Sequence, residues 1–250
     1  MKLHIYKDSD ELIRAMAEVI QKISKEAIVA RGQFNFVLSG GSSPRRLYKL
    51  LSSKTYKSSI DWQHTYFFFG DERFVPENDP QRNSLMAKEV LFEPLNIPAS
   101  HIFTVDTSVS PTQAAQLYAE AITLHFNQKP IHFDFVLLGL GENAHTASLF
   151  PFTSVLETTE ATIKAVFVEP LKMHRITMTA PLINQADYVA FLVFGKDKAE
   201  AVYHVLQGSK ASPQQYPAQL IFPKEGKLYW FLDTNASALL EPAQNNNIFN

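Results

Sequence analysis

His145 closes the stretch Gly139-Leu140-Gly141-Glu142-Asn143-Ala144-His145, which follows the apolar run Phe135-Val136-Leu137-Leu138. A buried strand that opens into glycines and small polar residues is where an open α/β sheet places its chemistry. An imidazole in such a loop can act as a general base near neutral pH. Asp71, Glu72 and Arg73 follow a second apolar run, 66–69, in the same way. Arg73 suits a phosphate or carboxylate, and Asp71 suits a hydroxyl or a proton relay. A third run, 34–38, opens into Ser39-Gly40-Gly41-Ser42-Ser43-Pro44. Its glycines let an anion approach the main chain, and the N-terminus of the helix that Pro44 begins favours negative charge. Its spacing fits neither a Walker loop nor a dinucleotide loop. Lys198 lies three residues past Gly195, in the first turn of a further helix, where a cation is unfavourable unless an anion answers it. Each feature also has a plain structural reading: a capped turn, a solvated charge cluster, a satisfied histidine, an exposed lysine. Arg175 and the segment 179–184 add polar groups whose role the residues leave open.

Other chemistries are disfavoured. The chain has no Cys, which removes disulfides, thiolate metal sites and a cysteine nucleophile. The other seven of its 8 His residues show no metal-ligand spacing, so no metal site is expected. Ser148 lacks the Gly-x-Ser-x-Gly elbow of a serine hydrolase.

The elements that must position these residues alternate. Strands are expected at 3–6, 34–38, 66–69, 102–105, 135–138, 163–168, 175–179, 188–194 and 227–232. Asp8 and Glu11 form a capping-box pattern ahead of a long amphipathic helix that ends at Gly32. Helices are also expected from Pro44, with Ser42 or Ser43 as its cap, over 83–92, from Ser110-Pro111, as a turn at 181–185, and over 196–206. Strands and helices in alternation predict a doubly wound, mostly parallel α/β sheet with helices on both faces, a Rossmann-like three-layer arrangement. One domain over 1–240 is expected, with a frayed Asn-rich tail over 241–250. All the polar strand ends then fall on one edge and can converge.

With 250 residues, 46% of them hydrophobic, a sizeable core is available. The net charge of -2 gives no field for nucleic acid or membrane. The N-terminus lacks the apolar core of a signal peptide and no run is long enough to span a bilayer, so a cytoplasmic location is expected.

Taken together, LSGGSSPRRLY at 38–48, FGDERFVPENDPQRNSLMA at 69–87, LLGLGENAHTASLFP at 137–151 and VFGKDKAEAV at 193–202 resemble the 6-phosphogluconolactonase family. PAQLIF at 217–222 and LYWFLD at 228–233 resemble its closing segment. The wider fold group includes glucosamine-6-phosphate deaminases and ribose-5-phosphate isomerases. The resemblance implies hydrolysis of 6-phosphoglucono-1,5-lactone to 6-phosphogluconate in the oxidative pentose phosphate route, without metal or organic cofactor. It implies His145 as the base on water, with Asp71 contacting the sugar hydroxyls or the water. Gly40, Gly41, Ser42, Arg73 and Lys198 would hold the phosphate and sugar acid, with Asn143 and Arg175 in support. Where the family usually has Asp-Gly before the histidine, this chain has Asn143-Ala144, and Ser43 stands where Thr is common. An uncharged Asn143 implies a weaker base at His145, and Ala144 implies strain if the position has positive φ. The competing readings are a phosphosugar-binding protein with reduced turnover, and a sugar-phosphate isomerase or deaminase. The deaminases use a carboxylate at position 143 and read Ile-Gly-Phe after the histidine.

Overall fold

The computed structural model describes residues 1–241, and the Asn-rich tail proposed from the sequence lies almost wholly outside them. A six-stranded sheet runs in the order β1-β9-β8-β5-β2-β3. Its strands are β1 (Lys2–Tyr6), β2 (Phe34–Leu38), β3 (Thr65–Phe69), β5 (Phe135–Leu138), β8 (Tyr188–Val193) and β9 (Lys227–Asp233), and every pairing is parallel.

Two apolar cores flank this sheet, and the period-2 alternation of strand side chains divides residues between them. Phe34, Phe36 and Leu38 point to one core with Phe135, Leu137, Ala190 and Leu192. There they meet α1 (Ser9–Arg31), α2 (Ser42–Leu51), and the segment from α3 (Asn83–Ala87) through a π turn to α4 (Glu93–Leu95). Val37, Val136, Leu138, Val189 and Phe191 point the other way, toward α5 (Pro111–His125), α6 (Ala180–Ile183) and α7 (Ala199–Leu206). Burial on both faces is why the strands read as unbroken apolar runs rather than alternating ones.

The expected three-layer α/β sheet is therefore present, with an addition. β4 (Asp71–Arg73), β6 (Ile163–Val168) and β7 (Met173–Met178) form a separate antiparallel sheet in the order β4-β7-β6. Gly70 joins the two sheets: its N–H donates to Leu38 O at 3.0 Å, and its carbonyl accepts from Met178 N at 2.8 Å. What reads as a polar turn after β3 is a strand, which swings Asp71 and Arg73 over the carboxyl edge of the main sheet.

Some local expectations are corrected. Residues 102–105 form no strand; Ile102 makes only an isolated bridge to Phe67. The helix expected over 83–92 runs on through Pro94 to Leu95, with the π turn Lys88–Phe92 immediately ahead of α4. Neither Ser42 nor Ser43 caps α2; Gly41 is the N-cap, at φ 101°, and no side chain satisfies the helix start. Residues 196–198 are a 3₁₀ turn leading into α7. At α1 Asp8 is the N-cap, its Oδ1 accepting from Asp10 N and Glu11 N, while Glu11 Oε2 accepts from Lys7 N rather than closing the expected box on Asp8 N.

Candidate active site

β2 sends the chain through α2 to β3 on one side, while β5, on the other side of β2, sends it on to β8. Strand order thus reverses between β2 and β5, and such a switch point leaves a crevice at the carboxyl ends. A cavity of about 550 Å³ occupies it. Gly40, Gly41, Ser42, Asp71, Arg73, Asn143, His145, Arg175 and Lys198 all line it.

Each wall has its own anchor. Tyr48, fully buried on α2, holds the glycine loop: Ser39 N donates to its hydroxyl at 2.9 Å, and that hydroxyl donates to Ser39 O at 2.8 Å. Tyr118 does the same at the end of β3, accepting from Phe69 N at 2.7 Å and donating to Phe69 O at 3.2 Å. Burial pushes both phenols well above their ordinary range, so they stay neutral donors.

Glu72 does not enter the cavity. Its carboxylate accepts from Arg73 N at 2.8 Å, Asn83 N at 2.7 Å and Ser84 N at 2.9 Å. It therefore caps α3 from a distance, where helix polarity favours an anion. Burial raises its pKa, opposed by these hydrogen bonds. Asp71 faces the cavity. Ser148 Oγ donates to its Oδ2 at 2.6 Å, and Arg175 Nη1 lies 4.0 Å from the same oxygen. Asn83 Nδ2 donates to Asp71 O at 2.8 Å, and its side chain packs so closely on Gly40 that a Cβ there would lie 1.8 Å from Asn83 Oδ1. Asn83 and Ser148 escape a sequence reading, because nothing in their neighbours signals contact with Asp71.

His145 is held by its own loop. Its Nδ1 donates to Asn143 Oδ1 at 2.5 Å, an oxygen that also faces His145 N at 3.3 Å. An amide oxygen only accepts, so Nδ1 carries the proton and Nε2 keeps its lone pair. The ring stacks on Phe150 with centroids 4.0 Å apart. It also lies against Gly141, where a Cβ would sit 2.0 Å from Nδ1, so this position accepts no side chain. Burial, with Arg175, Lys198 and Arg73 adding to it and Asp71 opposing it, lowers the imidazole pKa to about 4. Ala144 has φ 59°, a left-handed conformation that costs a non-glycine residue about 1–2 kcal/mol. The strain expected of alanine at this position is therefore real. The loop withstands it because Ala144 N donates to Gly141 O at 2.9 Å and Ala218 N donates to Ala144 O at 3.0 Å.

Cations complete the cavity. Arg73 Nη1 donates to Gln81 O. Lys198 Nζ lies 3.0 Å from Asp197 Oδ2 and 3.9 Å from Glu142 Oε1, bridging the β8 and β5 loops. With the uncapped start of α2, this is a positively polarised pocket in a chain of net charge -2.

The model of glucosamine-6-phosphate isomerases and 6-phosphogluconolactonases matches residues 7–230. The chain belongs to that family. Within it, the chain is 38% identical over 233 residues to a 6-phosphogluconolactonase of Synechocystis, covering 92% of this chain and 93% of the relative. A 6-phosphogluconolactonase of Nostoc is 36% identical over 95% of this chain and 98% of its own length. The solved 6-phosphogluconolactonase of Trypanosoma cruzi superposes with a TM-score of 0.84 at 26% identity, covering 96% of this chain and 97% of that one.

Proposed function

We propose that this protein hydrolyses 6-phosphoglucono-1,5-lactone to 6-phosphogluconate, with His145 as general base on water. The observation that carries this reading is a neutral imidazole, oriented through Nδ1, whose free Nε2 belongs to a cavity rich in phosphate-binding groups. Water attacks the lactone carbonyl carbon and gives its proton to His145 Nε2, and the carbonyl π electrons move to oxygen. The tetrahedral intermediate then expels the ring oxygen, which takes the proton from the imidazolium. The new carboxylic acid loses its proton to solvent. Asp71, fixed by Ser148, is placed to accept from a sugar hydroxyl or from the attacking water. The main-chain N–H groups at Gly41 and Ser42, with Arg73 and Lys198, hold the phosphate, and this remote binding positions the ring for attack. No step calls on a metal or organic cofactor. No helix among the described residues is long and apolar enough to cross a membrane.

The low basicity of His145 and the uncharged Asn143 favour a second reading, a phosphosugar-binding protein with reduced turnover. A lactonase assay separates the two. The expected result is acceleration over spontaneous hydrolysis, with His145→Ala lowering kcat by about 10²- to 10⁴-fold and leaving phosphate-ester binding nearly intact. Tight 6-phosphogluconate binding by a wild-type protein that does not exceed the spontaneous rate would establish the second reading instead.

A further inference from the structure

Among the described residues, Arg175 is the one cation lining the cavity with neither a hydrogen bond nor an ion pair shorter than 4.0 Å. It is 9% exposed. Its nearest carboxylate oxygen, Asp71 Oδ2, lies 4.0 Å from Nη1, beyond hydrogen-bond reach, and its Nε is buried without a partner. The Arg73 Nε is likewise buried without a partner, but its Nη1 donates to Gln81 O, and Lys198 Nζ lies 3.0 Å from Asp197 Oδ2. Burying a guanidinium with its donors free is costly unless a ligand uses them.

The surroundings of Arg175 say which part of the ligand that is. The β4–β7 ladder sets Arg175 opposite Arg73 and Thr177 opposite Asp71. Thr177 Oγ1 accepts from Ser148 N at 3.2 Å, and Ser148 Oγ donates to Asp71, so β7 is tied to the loop that carries His145. Of the three cations, Arg175 has the strongest influence on the His145 imidazole, ahead of Lys198 and Arg73. Arg175 Nη1 lies 4.0 Å from the Asp71 oxygen that Ser148 holds, so the guanidinium stands beside that pair. The lactone brings one anionic group, its phosphate, and the reaction creates a second at the carbonyl.

We propose that Arg175 receives the lactone carbonyl oxygen, stabilises the negative charge that develops there, and holds the product carboxylate. The phosphate stays with the α2 N-terminus, Arg73 and Lys198. This rests on the lactonase reading. When water adds and its proton passes to His145 Nε2, the carbonyl π pair becomes the oxyanion facing Arg175. When the C1–ring oxygen bond breaks, the oxyanion pair re-forms the carbonyl, the ring oxygen leaves with the bonding pair and takes that proton, and the new carboxylic acid loses its own proton to solvent to leave the carboxylate facing Arg175. A guanidinium already desolvated and fixed needs no reorganisation as the charge appears.

The test is binding by calorimetry of two ligands with the same phosphate: 6-phosphogluconate, and glucitol 6-phosphate, which has a hydroxymethyl group in place of the carboxylate. Wild type is expected to prefer 6-phosphogluconate by roughly 10- to 100-fold. Arg175→Gln should retain its affinity for glucitol 6-phosphate, lose the preference to within about 3-fold, and lower kcat by about 10²- to 10³-fold. Equal binding of the two ligands by wild type overturns the proposal without any variant. Equal weakening of both ligands by Arg175→Gln, or by Arg175→Lys if the glutamine variant does not fold, makes Arg175 part of the phosphate clamp and also overturns it. Binding needs no turnover, so a protein without lactonase activity would refute the lactonase reading separately.

Discussion

Asn143 accepts the Nδ1 proton of His145 without adding a charge, so it orients the imidazole but does not raise its basicity. The burial that lowers the imidazole pKa to about 4 is opposed only by Asp71. The sign for activity follows. As the proposed general base, His145 works unprotonated, so kcat/KM should fall as pH drops through about 4 and stay level above it. Asn143→Asp places a carboxylate against Nδ1 and favours the imidazolium, which should raise the pKa by roughly 1–2 units. The acid limb of the kcat/KM profile should then move toward neutral pH, and the rate on the plateau should rise with the stronger base. The substrate phosphate ionises near pH ~6 in both assays, so the ratio of variant to wild type isolates the enzyme group. An unmoved acid limb would show that residue 143 does not set the basicity of His145.

At the scale of elements, the site depends on how strand ends are held. Tyr48 pairs with both main-chain groups of Ser39, the residue where β2 gives way to the glycine loop. Tyr48→Phe leaves a nearly buried N–H and C=O without that partner, which should cost about 1–3 kcal/mol in thermal or urea unfolding. Because the loop leads to the helix start proposed to hold the phosphate, KM should rise several-fold while kcat changes little. An unchanged KM would mean that the loop holds its shape without the tyrosine. The strands that feed these loops were legible because each is buried on both faces, and Gly40, Gly41 and Gly141 stand out as punctuation after apolar runs. The antiparallel sheet was not legible as such. β4 spans only Asp71–Arg73, all polar, and looks like a turn until β7 pairs with it. That pairing is long-range, and it is why Arg175 could be noticed in the sequence but given no role. Glu72 illustrates the converse. It is adjacent to Asp71 and chemically similar, yet strand alternation turns it away from the cavity to cap α3.

At the scale of the molecule, the two edges of the main sheet divide the work. The carboxyl edge holds incompletely satisfied cations and a strained alanine, features that cost stability. The amino edge holds the opposite. Asp134, fully buried just ahead of β5, accepts from Asn35 N at 2.6 Å at the start of β2 and from Arg31 Nε at 3.0 Å at the end of α1. Arg31 also reaches Asp187 at 3.3 Å ahead of β8, and His132 lies 2.9 Å from the same carboxylate. One cluster thus joins the starts of three neighbouring strands to a helix end. His132, Asp134 and Asp187 are close enough together to invite a cation, and the Arg31 guanidinium already supplies that charge. Burial pushes the Asp134 carboxyl up while Asn35 and Arg31 oppose it, so its value lies in the hydrogen bonds more than in its charge. Asp134→Ala removes those acceptors and leaves a main-chain N–H unpaired, at a cost of about 2–3 kcal/mol. Midpoints in urea should fall accordingly, whereas kcat and KM at temperatures where the variant stays folded should match wild type, because no catalytic group touches this edge. A large loss of kcat in a fully folded variant would mean that the two edges are coupled through the β2–β5 pair, whose amino ends this cluster holds and whose carboxyl ends form the crevice.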